Sequence, residues 1–232
     1  MASNITLVTG ATGNLGNAVV TQLLSDGHTV VGTVRASHTS AESKKHPLYE
    51  PYGADVSKEE EVEKLISHLI HTHQRVDFAA LLVGGFAMGE LEGTSIDDLK
   101  KMYELNFLTT FLCCQKLYTQ MKQQENGGHI VLVGARPAID PSAAAGLVSY
   151  SLSKSLLFQL SDIINAKTTE TGVRSSIIVP SILDTPPNRE AMPKANFNDW
   201  VTPEQIAKTI SFLASSDSQP LRQSVFKLYG NA

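Results

Sequence analysis

Cysteine, charge and long apolar runs are all scarce in this sequence of 232 residues. Its two cysteines, Cys113 and Cys114, are adjacent and suggest no disulfide framework, so a reducing cytoplasmic location fits best. Charged residues make up 18%, and the net charge of −4 argues against a nucleic-acid binder. No apolar run approaches the roughly 18 residues of a membrane span, and the N-terminus lacks the basic region of a secretory signal. The low charge content suggests that a partner covers part of the surface.

Short apolar segments alternate with longer helical patterns, which predicts a single doubly wound α/β domain over residues 1–232. We expect a mostly parallel sheet of seven strands with helices on both faces. The predicted strands are Ile5–Thr9, Thr29–Val34, Tyr52–Asp55, Val76–Val83, His129–Gly134, Arg174–Val179 and Ser224–Leu228. The predicted helices are Gly13–Ser25, Lys58–Thr72, Ile96–Gln124, Tyr150–Thr169 and Thr202–Ala214. A proline-rich stretch at about 180–200 predicts a long substrate loop.

A glycine-rich turn follows the first predicted strand and precedes an amphipathic helix. Glycines at this point allow a tight turn and a close approach of the backbone to a pyrophosphate, and the helix N-terminus offers unpaired N–H groups. The context predicts a dinucleotide site, with a tight turn that binds no ligand as the alternative. The expected cofactor-binding residues of this turn are Gly10, Thr12, Gly13, Asn14, Leu15 and Gly16.

The end of the second predicted strand indicates which cofactor is bound. An acidic residue there would bind the ribose hydroxyls of NAD, but the segment ends Gly32-Thr33-Val34-Arg35. A guanidinium pairs well with a 2′-phosphate, so NADP(H) is favoured over NAD(H). The alternative is that Arg35 is a solvated surface charge.

The pattern YxxxK places a phenol and an ammonium one helical turn apart and occurs twice, at Tyr118–Lys122 and Tyr150–Lys154. A nearby cation lowers the pKa of a tyrosine and makes it a usable proton donor. Ligands of doubly wound sheets bind beyond the carboxyl ends of strands. Only Tyr150 is expected there, since Tyr118 lies deep within a long helical pattern and suits helix packing.

Together these motifs resemble the short-chain dehydrogenase/reductase family, over essentially the whole chain. TGATGNLG resembles its cofactor turn, LVGG stands where the family usually has NNAG, and MYELNF carries the asparagine of its fourth helix. The resemblance implies that Tyr150, Lys154 and Asn106 are catalytic. Further cofactor contacts implied by the resemblance are Asp55, Val56, Gly84, Gly85, Pro180, Ile182 and Thr185.

The catalytic serine of the family is missing, and Ala135 takes its place at the end of the fifth predicted strand. Ser142, in the loop that follows, is the alternative hydroxyl. The segment Leu183–Trp200 resembles the dihydropteridine reductase-like branch, whose quinonoid substrate has less need of an oxyanion donor. Ala135 is expected at the substrate as the residue in the serine position. Arg136 and Arg189 are expected to flank the substrate, with a surface charge or a loop salt bridge as the alternative for both.

The expected function is NAD(P)H-dependent hydride transfer to a small carbonyl or quinonoid, dihydropterin-like substrate, with Tyr150 as proton donor. A non-catalytic NADP(H) sensor and a sugar-nucleotide epimerase or dehydratase are the alternatives. The histidine cluster HLIHTH lacks accompanying ligands, so no metal is expected. No nucleic-acid or membrane partner is expected. The apolar helices Ile96–Gln124 and Tyr150–Thr169 predict a homodimer or homotetramer, since the family pairs subunits there.

Overall fold

The structure, a computed structural model, describes residues 3–35 and 46–231. Its seven strands are β1 Ile5–Thr9, β2 Thr29–Val34, β3 Tyr49–Gly53, β4 Phe78–Leu81, β5 Gly128–Val133, β6 Val173–Pro180 and β7 Ser224–Leu228. They form one sheet in the order β3-β2-β1-β4-β5-β6-β7. Every neighbouring pair is parallel, so the doubly wound sheet predicted from the sequence is confirmed.

Helices connect the strands and cover both faces of the sheet. They are α1 Asn14–Ser25, α2 Glu59–His73, α3 Ile96–Met102, α4 Thr109–Met121, α5 Val148–Asn165, α6 Thr168–Thr171, α7 Pro186–Ala191 and α8 Pro203–Ala214. A π-helical segment, Tyr103–Leu108, joins α3 to α4. No helix in the described ranges is both long and apolar enough to cross a bilayer.

The core has two halves, one on each face of the sheet. Leu7 of β1 packs with residues of α2, α4 and α5, whereas Val8 packs with residues of α1 and α8. Neither side chain is exposed at all. Because strand side chains alternate between faces, a strand buried on both faces needs a continuous apolar run. This is why β1 was predicted correctly from its sequence.

The edge strand β3 differs from its predicted range, since it covers Tyr49–Gly53 rather than Tyr52–Asp55. Its residues are only partly buried, so no apolar run marks its bounds. The Leu48 carbonyl accepts a bond from the Val30 N–H at 2.8 Å. In a parallel pair the main-chain polar groups of alternate residues point to the neighbouring strand, so those of Tyr49 and Pro51 point away from β2. An edge strand tolerates proline there because the missing N–H has no partner to lose.

Two predicted helices also divide differently. The range Ile96–Gln124 is interrupted by the π-helical segment, and Tyr150–Thr169 becomes α5 followed by the short α6. Strand β4 is also shorter than the predicted Val76–Val83. The substrate loop at 180–200 contains α7, which starts at two consecutive prolines. Proline suits the first turn of a helix, where its missing N–H has no partner to lose.

Cys113 and Cys114 are buried within α4, as expected for small apolar residues. Burial raises the pKa of Cys113 to about 12. Both thiols therefore stay protonated and contribute packing rather than reactivity.

Candidate active site

The glycine-rich turn has the geometry that its sequence predicts. Gly10 has φ +68°, and its N–H donates to Thr33 Oγ1 at 3.0 Å, which ties the turn to β2. A Cβ added to Gly16 would lie 2.0 Å from the Gly10 carbonyl oxygen, so only glycine lets α1 approach the turn this closely. Gly13 precedes α1, and no side chain caps the first N–H groups of that helix.

A cleft of about 860 Å³ extends along the carboxyl edge of the sheet from this turn. Its lining includes the predicted residues Gly10, Thr12, Gly13, Arg35, Asp55, Val56 and Gly84. Asn14, Leu15 and Gly16 begin α1 beside it, and Gly85 follows Gly84. Pro180 ends β6, and Ile182 and Thr185 lie in the loop after that strand. A dinucleotide would fit this arrangement of the glycine turn, the uncapped N-terminus of α1 and the cleft.

Asp55 lies after β3 in a fixed conformation. The Ser57 N–H and hydroxyl donate to its Oδ1 at 3.1 and 2.7 Å, and these bonds hold the pKa of the carboxyl below its usual range. Lys58 Nζ lies 3.6 Å from its Oδ2. Ser57 and Lys58 also line the cleft and were not predicted, although they follow Asp55 and Val56 directly in sequence.

Asn106 is the central residue of the predicted catalytic set. It is fully buried within the π-helical segment. Its Oδ1 accepts a bond from the Gly85 N–H at 2.8 Å, and its Nδ2 donates to Ser153 Oγ at 3.0 Å. A Cβ on Gly84 would lie 2.7 Å from Asn106 Oδ1 and 3.1 Å from Lys154 Nζ. The segment LVGG therefore needs its first glycine because a larger residue would displace these groups.

Lys154 reaches the carboxyl end of β5. Its Nζ donates to the Val133 carbonyl oxygen at 2.7 Å, and the residue is only 6% exposed. Burial lowers the pKa of Lys154 to about 8, because desolvation disfavours the ammonium form.

Tyr150 occupies the first turn of α5, next to Lys154 in the following turn. Its ring packs edge-to-face on Phe86 with 5.1 Å between centroids, and Ser153 Oγ donates to its carbonyl oxygen at 2.8 Å. The sequence predicts a lowered pKa for Tyr150 beside Lys154, but the net shift in this structure has the opposite sign. Burial raises the pKa of Tyr150 to about 12, because desolvation disfavours the phenolate.

The second YxxxK pair lies elsewhere. Tyr118 packs against the core from α4, and Lys122 is exposed where that helix ends. This placement confirms that Tyr118 and Lys122 serve helix packing and surface charge.

The two arginines expected near the substrate are engaged within their own loops. Arg136 Nε donates to Asp140 Oδ2 at 3.2 Å, and its guanidinium lies 5.1 Å from the ring centroid of Tyr229. Arg189 forms a two-point ion pair with Asp184, at 2.5 and 2.7 Å. The Arg189 guanidinium also stacks on Phe197 at 4.7 Å. Ion pairing of this kind was the alternative interpretation of both residues.

Exposed apolar side chains lie on the loop after β4. Phe86 is 61% exposed, Met88 80% and Leu91 73%. The loop is anchored to the segment before α5 by the bonds from the Gly89 N–H to the Gly146 carbonyl and from the Val148 N–H to the Gly89 carbonyl. Only Phe86 was considered from the sequence, since Met88 and Leu91 form no periodic pattern.

Comparison with known proteins identifies the family. A family model described as short chain dehydrogenase matches residues 4–196. The chain belongs to the short-chain dehydrogenase family. Dihydropteridine reductase from Dictyostelium discoideum is 27% identical over 231 residues, covering 98% of this chain and 94% of that protein. Dehydrogenase/reductase SDR family member 11 from Mus musculus is 28% identical over 191 residues, covering 78% and 74%.

Solved structures show the same fold. An oxidoreductase of the short-chain dehydrogenase/reductase family from Burkholderia thailandensis aligns with a TM-score of 0.85 and 24% identity, covering 99% of this chain and 92% of that one. The short-chain dehydrogenases are oxidoreductases that bind NAD(P), and this chain is one of them.

Ala135 stands where the resemblance to the short-chain dehydrogenases implies a catalytic serine. Ala135 is 3% exposed and supplies no hydroxyl. Ser142, the alternative, is exposed, and its Oγ donates to Asp140 Oδ1 at 2.6 Å. That bond directs the Ser142 proton into its own loop, so the structure provides no support for Ser142 as a substitute.

Within residues 3–35 and 46–231, no cluster of three or more His, Cys, Asp or Glu side chains is arranged to hold a metal ion. His68 and His73, from the histidine-rich end of α2, instead contact the carboxylate of Glu50 on β3. These contacts fasten α2 to the edge strand.

Proposed function

We propose that this protein is an NADP(H)-dependent reductase of a small carbonyl or quinonoid compound, with Tyr150 as the proton donor. The observation that carries the proposal is the hydrogen-bonded connection of Tyr150, Ser153 and Asn106, with Lys154 buried beside it. This set lies at the carboxyl edge of the sheet next to a dinucleotide-sized cleft.

When bound, the nicotinamide cofactor supplies the hydride. The chain would hold its phosphates at the N–H groups that begin α1, where the glycine turn allows close approach. Arg35 is exposed just after β2 and lines the cleft, and this position supports the proposed pairing with a 2′-phosphate. Asp55 and Val56 line the same cleft beyond β3.

The proton that completes the reduction comes from the Tyr150 hydroxyl. With a pKa of about 12, this phenol is fully protonated at neutral pH and available as a donor. Donation leaves a phenolate, and Lys154, whose pKa of about 8 keeps it mostly protonated at pH 7, stabilises that anion from the next helical turn. Asn106 fixes this part of α5 through Ser153.

The substrate is inferred to be a flat, electron-poor ring. Phe86 packs against Tyr150 and remains 61% exposed, which leaves an aromatic surface beside the proton donor. In a quinonoid compound a ring nitrogen accepts the electron pair, so the missing hydroxyl at Ala135 removes less stabilisation than it would for a carbonyl oxyanion. The similarity to the dihydropteridine reductase of Dictyostelium discoideum supports this substrate class.

NADPH oxidation tests the proposal against carbonyls, quinones and quinonoid dihydropterin. Tyr150→Phe should leave NADPH binding nearly unchanged and reduce turnover by about 10²-fold or more, the usual contribution of a positioned general acid. Tyr118→Phe is the matched control and should keep its turnover. Retained turnover in Tyr150→Phe refutes the role of Tyr150 as proton donor.

A non-catalytic NADP(H) sensor is the second candidate, and it is favoured by the absence of a serine hydroxyl at Ala135. Tight NADPH binding without turnover of any of these compounds would support the sensor. The epimerase or dehydratase alternative rests on glycine spacing alone.

We also propose a homodimer or homotetramer formed through α3, α4 and α5. Most apolar residues of these helices belong to the core, including Met102, Leu112, Leu117, Met121, Leu157 and Ile164. Three others are uncovered, with Ile96 65%, Leu152 54% and Ile163 60% exposed. Sedimentation at micromolar concentration should show an oligomer, and a monomer would overturn this proposal.

The buried, protonated cysteines are compatible with the cytoplasmic location expected from the sequence.

A further inference from the structure

The residues that follow β7 contact both ends of the substrate loop. Because β7 runs parallel to β6, residues 229–231, the post-β7 segment, lie at the same edge of the sheet as the start of this loop. The Ser181 hydroxyl, at the start of the loop, donates to the Tyr229 carbonyl oxygen at 2.7 Å. At the other end of the loop, the Asn231 N–H donates to the Asp199 carbonyl oxygen at 3.0 Å. The post-β7 segment therefore spans the base of the loop.

The two ends of the substrate loop are also bonded to each other. The Val201 N–H donates to the Ile182 carbonyl oxygen at 3.0 Å, and the Asp184 N–H donates to the Val201 carbonyl oxygen at 2.8 Å. This pairing closes the loop at its base. A displacement of one end of the loop therefore also moves the other end.

Gly230 lets the post-β7 segment approach the loop closely. It has φ +60°, a conformation that side chains disfavour. A Cβ added to Gly230 would lie 2.6 Å from the Asp199 carbonyl oxygen and 3.4 Å from Val201 Cγ2. The carbonyl oxygen belongs to the main chain and cannot rotate away. A side chain at this position would therefore displace the end of the substrate loop.

Tyr229 also contacts the loop after β5. The Arg136 guanidinium lies 5.1 Å from the centroid of the Tyr229 ring, within the range of a cation–π interaction. Arg136 Nε donates to Asp140 Oδ2 at 3.2 Å, which fixes the other side of the guanidinium. Arg136 directly follows Ala135, the residue in the serine position. Tyr229 thus joins the two loops that are expected to flank the substrate, one through its carbonyl group and the other through its ring.

The contacts continue from Asp199 into the middle of the substrate loop. Trp200 is only 6% exposed, and its ring packs on Phe197 with 4.8 Å between centroids. The Arg189 guanidinium of α7 lies 4.7 Å from the Phe197 ring centroid. A displacement of Asp199 is therefore transmitted through this stack of side chains to α7.

We propose that the post-β7 segment positions the substrate loop against the loop after β5, with Tyr229 and Gly230 as the positioning residues. Neither residue is among the described residues that line the cofactor cleft. The effect should therefore fall on substrate binding rather than on NADPH affinity. The part that concerns substrate rests on the proposed reductase function, whereas the position of the loop can be measured without turnover.

Tryptophan fluorescence measures the position of the loop, because Trp200 is the only tryptophan in the sequence. In Gly230→Ala, quenching of this fluorescence by acrylamide should rise by about twofold or more without denaturant, because the base of the loop opens locally. Asn231→Pro, which deletes the N–H that bonds to Asp199, is a second variant and should give the same rise. Gly27→Ala is the matched control, since Gly27 has φ +84° and an added Cβ would contact nothing within 4 Å. It should keep the wild-type quenching.

Steady-state kinetics measures the effect on substrate. Tyr229→Leu should raise the KM for the reducible compound by roughly threefold, because the ring contact to Arg136 is lost, and leave kcat and NADPH affinity unchanged. Tyr229→Phe keeps an aromatic ring and should retain the wild-type KM. An unchanged KM in Tyr229→Leu would overturn the proposal, as would wild-type quenching in both Gly230→Ala and Asn231→Pro. If the wild type reduces none of the compounds, the reductase function fails, and the quenching result alone decides whether the post-β7 segment positions the loop.

Discussion

Asn106 Nδ2 donates to Ser153 Oγ at 3.0 Å, and this single bond connects the π-helical segment to the helix that carries Tyr150 and Lys154. Ser153 passes the connection on, since its own hydroxyl donates to the Tyr150 carbonyl oxygen at 2.8 Å. Asn106 thus contacts the helix of the proposed proton donor from 44 positions before Tyr150 in the chain.

The coupling of these residues is measurable by a double-mutant cycle with Asn106→Ala and Ser153→Ala. We expect an interaction free energy of about 1 kcal/mol in urea unfolding, because groups in one buried hydrogen-bond network are not independent. Ser155→Ala is the control, since that hydroxyl donates to the Leu152 carbonyl oxygen on the same helix. Additive effects of Asn106→Ala and Ser153→Ala would show that the bond does not couple them.

Lys154 should make stability depend on pH. Its pKa is about 8 in the folded protein and about 10.5 when unfolded, so the unfolded chain binds more protons between these values. The penalty for burying the ammonium is complete below pH 8 and is relieved as the pH rises toward 10.5. From pH 7 to 9.5, the unfolding free energy of the wild type should rise by about 2 kcal/mol relative to Lys154→Met.

Urea unfolding at the two pH values measures this difference. Lys122→Met, which removes an exposed lysine, should follow the wild type. If the unfolding free energies of Lys154→Met and the wild type change in parallel with pH, burial of the Lys154 ammonium does not destabilise the fold.

Gly16→Ala should disrupt the cofactor turn. The new Cβ would lie 2.0 Å from the Gly10 carbonyl oxygen. That oxygen belongs to the main chain and cannot rotate away as a flexible side chain could. We expect a loss of about 1–3 kcal/mol in unfolding free energy and weaker NADPH binding by fluorescence titration. Gly93→Ala, whose Cβ would contact nothing within 4 Å, should change neither quantity. Normal NADPH affinity in Gly16→Ala would argue against a cofactor at this turn.

Arg35 should determine the preference for NADPH. Arg35→Gln is expected to lower kcat/KM for NADPH by roughly tenfold and to leave the value for NADH nearly unchanged, because a phosphate contact is lost. Arg222→Gln, remote from the cleft, is the control. A wild-type enzyme that prefers NADH would contradict this assignment.

The doubly buried strands and the glycine turn could be predicted because local sequence determines them. Leu7 and Val8 face opposite halves of the core, so an apolar run marks the strand. Gly16 is required by the backbone beside it. Tyr150 was separated from Tyr118 by its position after a strand, which the topology of parallel sheets makes informative.

Other features depend on contacts between distant residues and leave little trace in a single sequence. The edge strand β3 has one neighbour and partial burial, so its bounds were misplaced. The raised pKa of Tyr150 reflects its surroundings rather than the YxxxK spacing. The Arg189 guanidinium pairs with Asp184, and this ion pair competes with a contact to substrate. The sequence alone does not show whether Arg189 contacts Asp184 or the substrate.

The proline in β3 also affects how copies of this protein meet. Pro51 faces away from β2 on the outer side of the edge strand, where a further strand would seek an N–H to complete its ladder. A strand docking there would lose a main-chain hydrogen bond at the middle of the contact. Extension of the sheet from molecule to molecule is therefore disfavoured at this edge.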